Sequence, residues 1–205
     1  MTLSIKLLEN DKIIQRKINE AYAKELNKSL SRKASTIKSK LIPIIRAALN
    51  ASPEINSLRG GGLLALEFGL ESDPTSSIIE SIIDSLEVNF TPINPKTFAG
   101  GFSLVMQPSN FANLLSLPEA SQPIEGGSLP WLSWLLTAGD SIIIANFGVE
   151  FGSFPQSRTG GARMAQKAAP YKVNSAFSGT EDDNFITRSI SVASGEIRRI
   201  IKGVL

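Results

Sequence analysis

DKIIQRKINEAYAKELNKSLSRKASTIKSKLIPIIRAAL, residues 11–49, is the stretch that decides how this chain folds. Ile14, Ile18, Tyr22, Leu26 and Leu30 follow one another at intervals of four, and Ile37, Leu41, Ile45 and Ala48 resume the pattern. Such spacing predicts a long amphipathic helix with these side chains on one face and the lysines and arginines on the other. Residues 31–39 are weaker, and Pro43 removes a backbone donor, so a break or kink is expected there. Ser52-Pro53 ends the region. A helix with one apolar stripe has to lie on something, either a sheet or a neighbouring subunit.

The same stretch carries most of the charge asymmetry. Residues 1–50 hold eleven Lys/Arg against four Asp/Glu, which leaves ten basic and fifteen acidic residues for the remainder, although the net charge is only +2. A basic end and a mildly acidic body suit nucleic acid, head-to-tail contact between copies, or simply a solvated helix face.

Downstream the pattern becomes mixed. Arg59-Gly60-Gly61-Gly62 reads as a flexible joint before the apolar run 63–70. Ser77 and Glu80 have capping-box spacing and predict a helix through Leu86. Residues 87–93 read as a strand ended by Pro92 and Pro95, and Phe102, Leu104 and Met106 alternate as a second strand. Short helices are expected over 110–117 and 129–136, the latter closed by Gly139. Residues 141–151 give the strongest strand signal. Residues 152–180 read as a long loop. Phe185, Ile186, Ile190, Ala193, Ile197, Ile201 and Val204 predict a C-terminal helix. The expected class is α+β, one domain over 1–205: a basic helical region 1–50, an α+β core 51–151, a long extended loop 152–180 and a C-terminal helix 181–205.

Composition narrows the chemistry. A chain of 205 residues with 42% hydrophobic and 20% charged residues buries roughly 70% of its unfolded surface and needs no staple. Cysteine and histidine are both absent. Disulfides, thiolate chemistry, Ser-His-Asp triads and histidine metal sites are thereby excluded, and an enzyme, a cofactor or a metal site is not expected. Residues 1–10 lack the apolar core of a signal peptide, and no run approaches the ~20 apolar residues of a membrane span. No membrane partner is expected.

Three constellations stand out. Trp131 and Trp134, three apart on a helix, share a face, and the leucines around them favour core or subunit packing over a ligand surface. Glu181, Asp182 and Asp183 precede a helix, where acids complement its positive end better than they chelate a cation. SRTGGARM, residues 157–164, combines glycines with Arg158 and Arg163 but lacks the Lys-Ser or Lys-Thr that closes a P-loop.

PWLSWLL (130–136), GDSIII (139–144), FGVEFG (147–152) and SRTGGARM (157–164) together resemble a family of virion proteins of tailed bacteriophages. SPE (52–54), SLR (57–59), LEFGL (66–70), residues 115–120 and FSGTEDDNFITR (177–188) add to the resemblance, which spans most of the chain after residue 50. VEFG (149–152) is also similar to the strand end of phage head-to-tail joining and tail-completion proteins. That group usually continues with a Pro-Ala-Arg-Pro-Phe-like segment where this chain has SRTGGARM. The resemblance implies a long N-terminal helix packed on an antiparallel sheet. It further implies a homo-oligomeric ring, six-fold or twelve-fold, in the neck or tail of a virion made in the host cytoplasm. Other neck and tail proteins would be its partners, with DNA passing through the lumen. The residues expected at interfaces are Ile14, Ile18, Tyr22, Leu26, Leu30, Trp131, Trp134, Arg158, Arg163 and Lys167. The alternative is a nucleic-acid-binding or packaging accessory that uses the N-terminal helix with Arg158 and Arg163.

Overall fold

A computed structural model describes residues 10–108, 110–124, 126–167 and 169–204. Helix α1 (Asp11–Ser31) opens on Asn10, whose side chain accepts from the Ile13 amide at 3.0 Å. The expected break falls at Arg32-Lys33, just past Ser31, whose hydroxyl donates to Lys28 O at 3.3 Å rather than to solvent. Helix α2 (Ala34–Asn50) then runs through Pro43 without ending. Ile37, Leu41, Ile45 and Leu49 are all fully buried, and that packing outweighs the missing backbone bond.

Helix α2 is the central element. It packs against the C-terminal helix α8 (Phe185–Val204), against α5 (Thr75–Asp84) and against strand β1 (Glu87–Thr91). Between α2 and α5 the chain forms α3 (Pro53–Leu58), capped by Ser52, and α4 (Leu63–Phe68), closed by Gly69 in the left-handed conformation. The 59–62 joint is a defined turn: Gly62 donates to Arg59 O at 2.8 Å, and a Cβ at position 62 would meet Ser57 O at 2.3 Å. The Arg59 guanidinium locks it by donating to Asn50 and Asn56.

Among the described residues strands pair only as neighbours in sequence, giving three two-stranded antiparallel ladders. β1 pairs with β2 (Gly101–Val105), β3 (Gln122–Ile124) with β4 (Gly127–Leu129), and β5 (Phe147–Phe151) with β6 (Ala162–Gln166). The class is α+β with a long N-terminal and a C-terminal helix, as expected. In the β1–β2 ladder Val88 opposes Leu104 and Phe90 opposes Phe102; Val88, Leu104 and Phe102 pack against the core, and the Phe90 ring lies 5.3 Å from that of Phe102. Short α6 (Ala112–Leu115) and α7 (Trp131–Ser133), with a π-turn over Trp134–Ala138, complete the core.

Three local expectations are corrected. Ser77 and Glu80 do not form a capping box: the helix starts at Thr75, the Ser77 hydroxyl donates to Glu119, and Glu80 pairs with Arg46. Residues 141–151 are a strand only from Phe147, because Asn146 takes a left-handed φ of 61° and turns the chain. Residues 152–180 are not loop throughout, since β6 folds back on β5 and satisfies its open edge.

Candidate assembly surface

The N-terminal stripe splits along its length. Each step of four residues advances about 40° around a helix of 3.6 residues per turn, so Ile14 and Leu30 end up about 160° apart. A straight helix therefore does not hold all five residues on one face, contrary to the expectation. Ala23 and Leu30 are buried and Leu26 is half-buried, whereas Ile18 is 56% and Tyr22 59% exposed. Asn27 fixes the roll of the helix: its amide donates to Ile93 O at 3.1 Å and accepts from the Ile93 amide at 2.7 Å.

Through that contact the loop between β1 and β2 is brought beside α1. Phe98, left-handed at φ 53° and 43% exposed, sets its ring 6.2 Å from that of Tyr22. Ile14, Ile18, Tyr22 and Phe98 thus make an aliphatic and aromatic surface. Lys17, Lys24 and Lys28 run along one flank of it, while Asp11 and Glu25, seven residues to either side of Ile18, lie in line with that residue. Isolated exposed apolar residues need no explanation, but a contiguous set with a charged border marks an interaction surface.

A second exposed apolar set lies on the β5–β6 hairpin. Phe147, Phe151 and Met164 are exposed, with Phe151 at 50%. Arg163 is held on the hairpin itself, its guanidinium 3.1 Å from Glu150 and 4.5 Å from the centre of the Phe154 ring. Arg158 lies 3.8 Å from Glu71 and stacks over Gly69. Lys167 crosses Gly148 and donates to Val149 O at 2.9 Å. The loop is folded by its own backbone: the Ser157 amide donates to Phe154 O and the Gly160 amide to Ser157 O, while the Gly160 and Gly161 carbonyls accept from Phe154 and Gly152. SRTGGARM is thus the closing loop and first residues of a hairpin, with its arginines on carboxylates.

The two tryptophans do different things. Trp131 is fully buried, stacks at 5.4 Å on Phe68 and donates from Nε1 to Glu119 O at 2.8 Å. It belongs to the core and is not available at an interface, because a side chain without exposed area cannot reach a partner. Trp134 is half-buried and meets Tyr171 edge-on at 6.4 Å.

Asn184, not the preceding acids, caps α8: its Oδ1 accepts from the Ile186 and Thr187 amides. Asp183 pairs with Arg188 at 3.1 Å. Glu181 and Asp182 are left on the rim of a groove of about 450 Å³, lined by Met106, Phe111, Ile186 and Ile190. Sequence reasoning missed this groove, since it joins segments 70 and more positions apart and no periodicity reports such a meeting.

Glu67, at the end of α4, faces Tyr171 and accepts from the Asn174 amide. Burial pushes its carboxyl up to about 7, and the Tyr171 and Asn174 contacts only partly oppose this. The Tyr171 hydroxyl lies beside the carboxylate without closing a hydrogen bond of good geometry, and burial next to that charge raises its pKa. Among the described residues no group of three or more Asp or Glu side chains is placed to hold a metal ion, and no helix is long and apolar enough to cross a membrane. No protein-family model matches the chain, and no curated protein or solved structure matches it either.

Proposed function

We infer that this chain is a structural subunit of a phage neck or tail connector, working by assembly into a ring that joins head to tail. The observation that carries this is the presence of two exposed apolar surfaces on different elements, one on α1 with the 92–98 loop and one on the β5–β6 hairpin. Ring subunits associate through unlike faces, so a subunit needs two such surfaces rather than one self-complementary patch. The sequence resemblance to tailed-phage virion proteins over most of the chain after residue 50 supplies the virion setting. A buried core that carries an exposed helix face and an exposed hairpin suits a building block, and the absence of histidine and cysteine removes the commonest catalytic groups.

Negative-stain electron microscopy of the purified protein tests the reading. Rings with a central opening and six-fold or twelve-fold symmetry are expected. Dispersed single copies, or open filaments of unlimited length, contradict it. The nucleic-acid alternative has its own support in the exposed lysines and arginines of α1. It forecasts tight, steeply salt-dependent DNA binding by the unassembled chain.

A further inference from the structure

The molecule has two ends, and the direction of α2 defines them. At the N-terminal end of α2, Lys33 Nζ donates to Val204 O, in the last turn of α8, at 2.6 Å. At its C-terminal end, Glu54 meets Arg188, in the first turn of α8, at 2.7 Å. The two helices therefore run antiparallel for the length of α2, whose 17 residues span about 25 Å at 1.5 Å per residue. The β1–β2 hairpin points the same way. Its loop touches α1 through Ile93 and Phe98, while Met106, next to the last residue of β2, lines the groove at the start of α8.

The exposed face of α1 and the acid-rimmed groove consequently sit at opposite ends of one molecule. α1 does not fold back along α2, so a chain cannot fill its own groove with its own helix. The two surfaces match in chemistry. One is a helical ridge of half-buried Ile14 with exposed Ile18 and Tyr22, flanked on one side by Lys17, Lys24 and Lys28. The other is a groove with an apolar floor and Glu181 and Asp182 on its rim. Apolar ridges of a helix seated in an apolar groove, with opposite charges at the border, is a recurring recognition mode.

We propose that the occupant of this groove is α1 of a second copy of the same chain, so that copies join head to tail. The assignment rests on the ring reading above but pairs the α1 face with the groove, which leaves the apolar β5–β6 hairpin for contacts other than this one. The contact is heterologous: the helix end of each copy is used by one neighbour and the groove end by the other, and a suitable rotation closes the chain of copies into a ring.

The chain has no cysteine, so engineered pairs report without background. A double variant, Ile18→Cys with Thr187→Cys, is oxidised and run without reductant. The expected result is a covalent ladder that ends in one closed species, with neither single variant giving more than a trace of dimer. Independently, Lys24→Glu with Lys28→Glu is expected to weaken association at least tenfold, and adding Glu181→Lys with Asp182→Lys to recover most of it. An assembly that forms while the helix–groove pair stays uncrosslinked overturns the assignment and leaves the ring reading standing. So does association indifferent to both charge changes. A parent chain that remains monomeric at every concentration overturns both.

Discussion

The Arg188 guanidinium and the Glu54 carboxylate, 134 positions apart in sequence, meet at 2.7 Å, with the Glu54 side chain only 4% exposed. This pair ties the first turn of α3 to the first turn of α8, and Arg188 also reaches Asp183 and the Phe177 carbonyl. Arg188 thus fastens the segment before α8 to the body of the domain. A buried carboxylate without its partner is costly, so Arg188→Ala is expected to lose about 3 kcal/mol in denaturant unfolding. Arg188→Met with Glu54→Leu should recover most of it, because no unpaired charge is left behind.

Glu67 makes stability depend on pH near neutrality. Its folded-state carboxyl titrates at about 7, above the ordinary value of 4.5, so ionising it works against folding. The sign follows: the contribution is fully present below about pH 4.5, is lost as pH rises to about 7 and is flat above. A shift of this size is worth at most about 3 kcal/mol. Glu67→Gln keeps an acceptor for the Asn174 amide and removes the ionisation. It should flatten the melting temperature between pH 5 and 7 and leave the variant more stable than the parent at pH 8. An unchanged pH profile contradicts the assignment.

The two halves of α1 should respond in opposite ways. Leu30 is buried, so Leu30→Ala is expected to cost about 2 kcal/mol or more of folding stability. Ile18 and Tyr22 are exposed in the single chain, so Ile18→Ser with Tyr22→Ser should leave its melting temperature within a degree or two and abolish association. Calorimetry beside light scattering separates the two effects.

How far these features were legible in the sequence depended on whether local spacing or tertiary contact set them. The helices over 11–50 and 185–204 and the β1–β2 strands follow from apolar periodicity, and Gly139 ends its helix as its type predicts. The split of α1 was legible too, since the angular drift of Ile14 to Leu30 is arithmetic, but which side turns inward is decided by Asn27 on Ile93, 66 positions away. Strand β6 was hidden because ARMAQ alternates weakly. Its identity comes from the register it finds, Glu150 against Arg163 and Val149 against Met164. The groove left no local trace, as its floor comes from Met106 and Phe111 and its rim from Glu181 and Asp182.

Arg158 and Arg163 already face Glu71 and Glu150 within the chain, which sets an expectation for DNA. Arg158→Ala with Arg163→Ala should leave any DNA affinity within about twofold and the salt dependence unchanged. A salt slope that falls by about two would instead mark both as phosphate contacts and favour the nucleic-acid reading.

The central claim is assembly into a closed ring, and the mass of the purified protein in solution tests it most directly. Static light scattering across a wide concentration range is expected to converge on one discrete species of six or twelve copies of the 22.0 kDa chain, with no larger forms as concentration rises. A mass that stays at a single chain, or one that climbs without limit, contradicts the account.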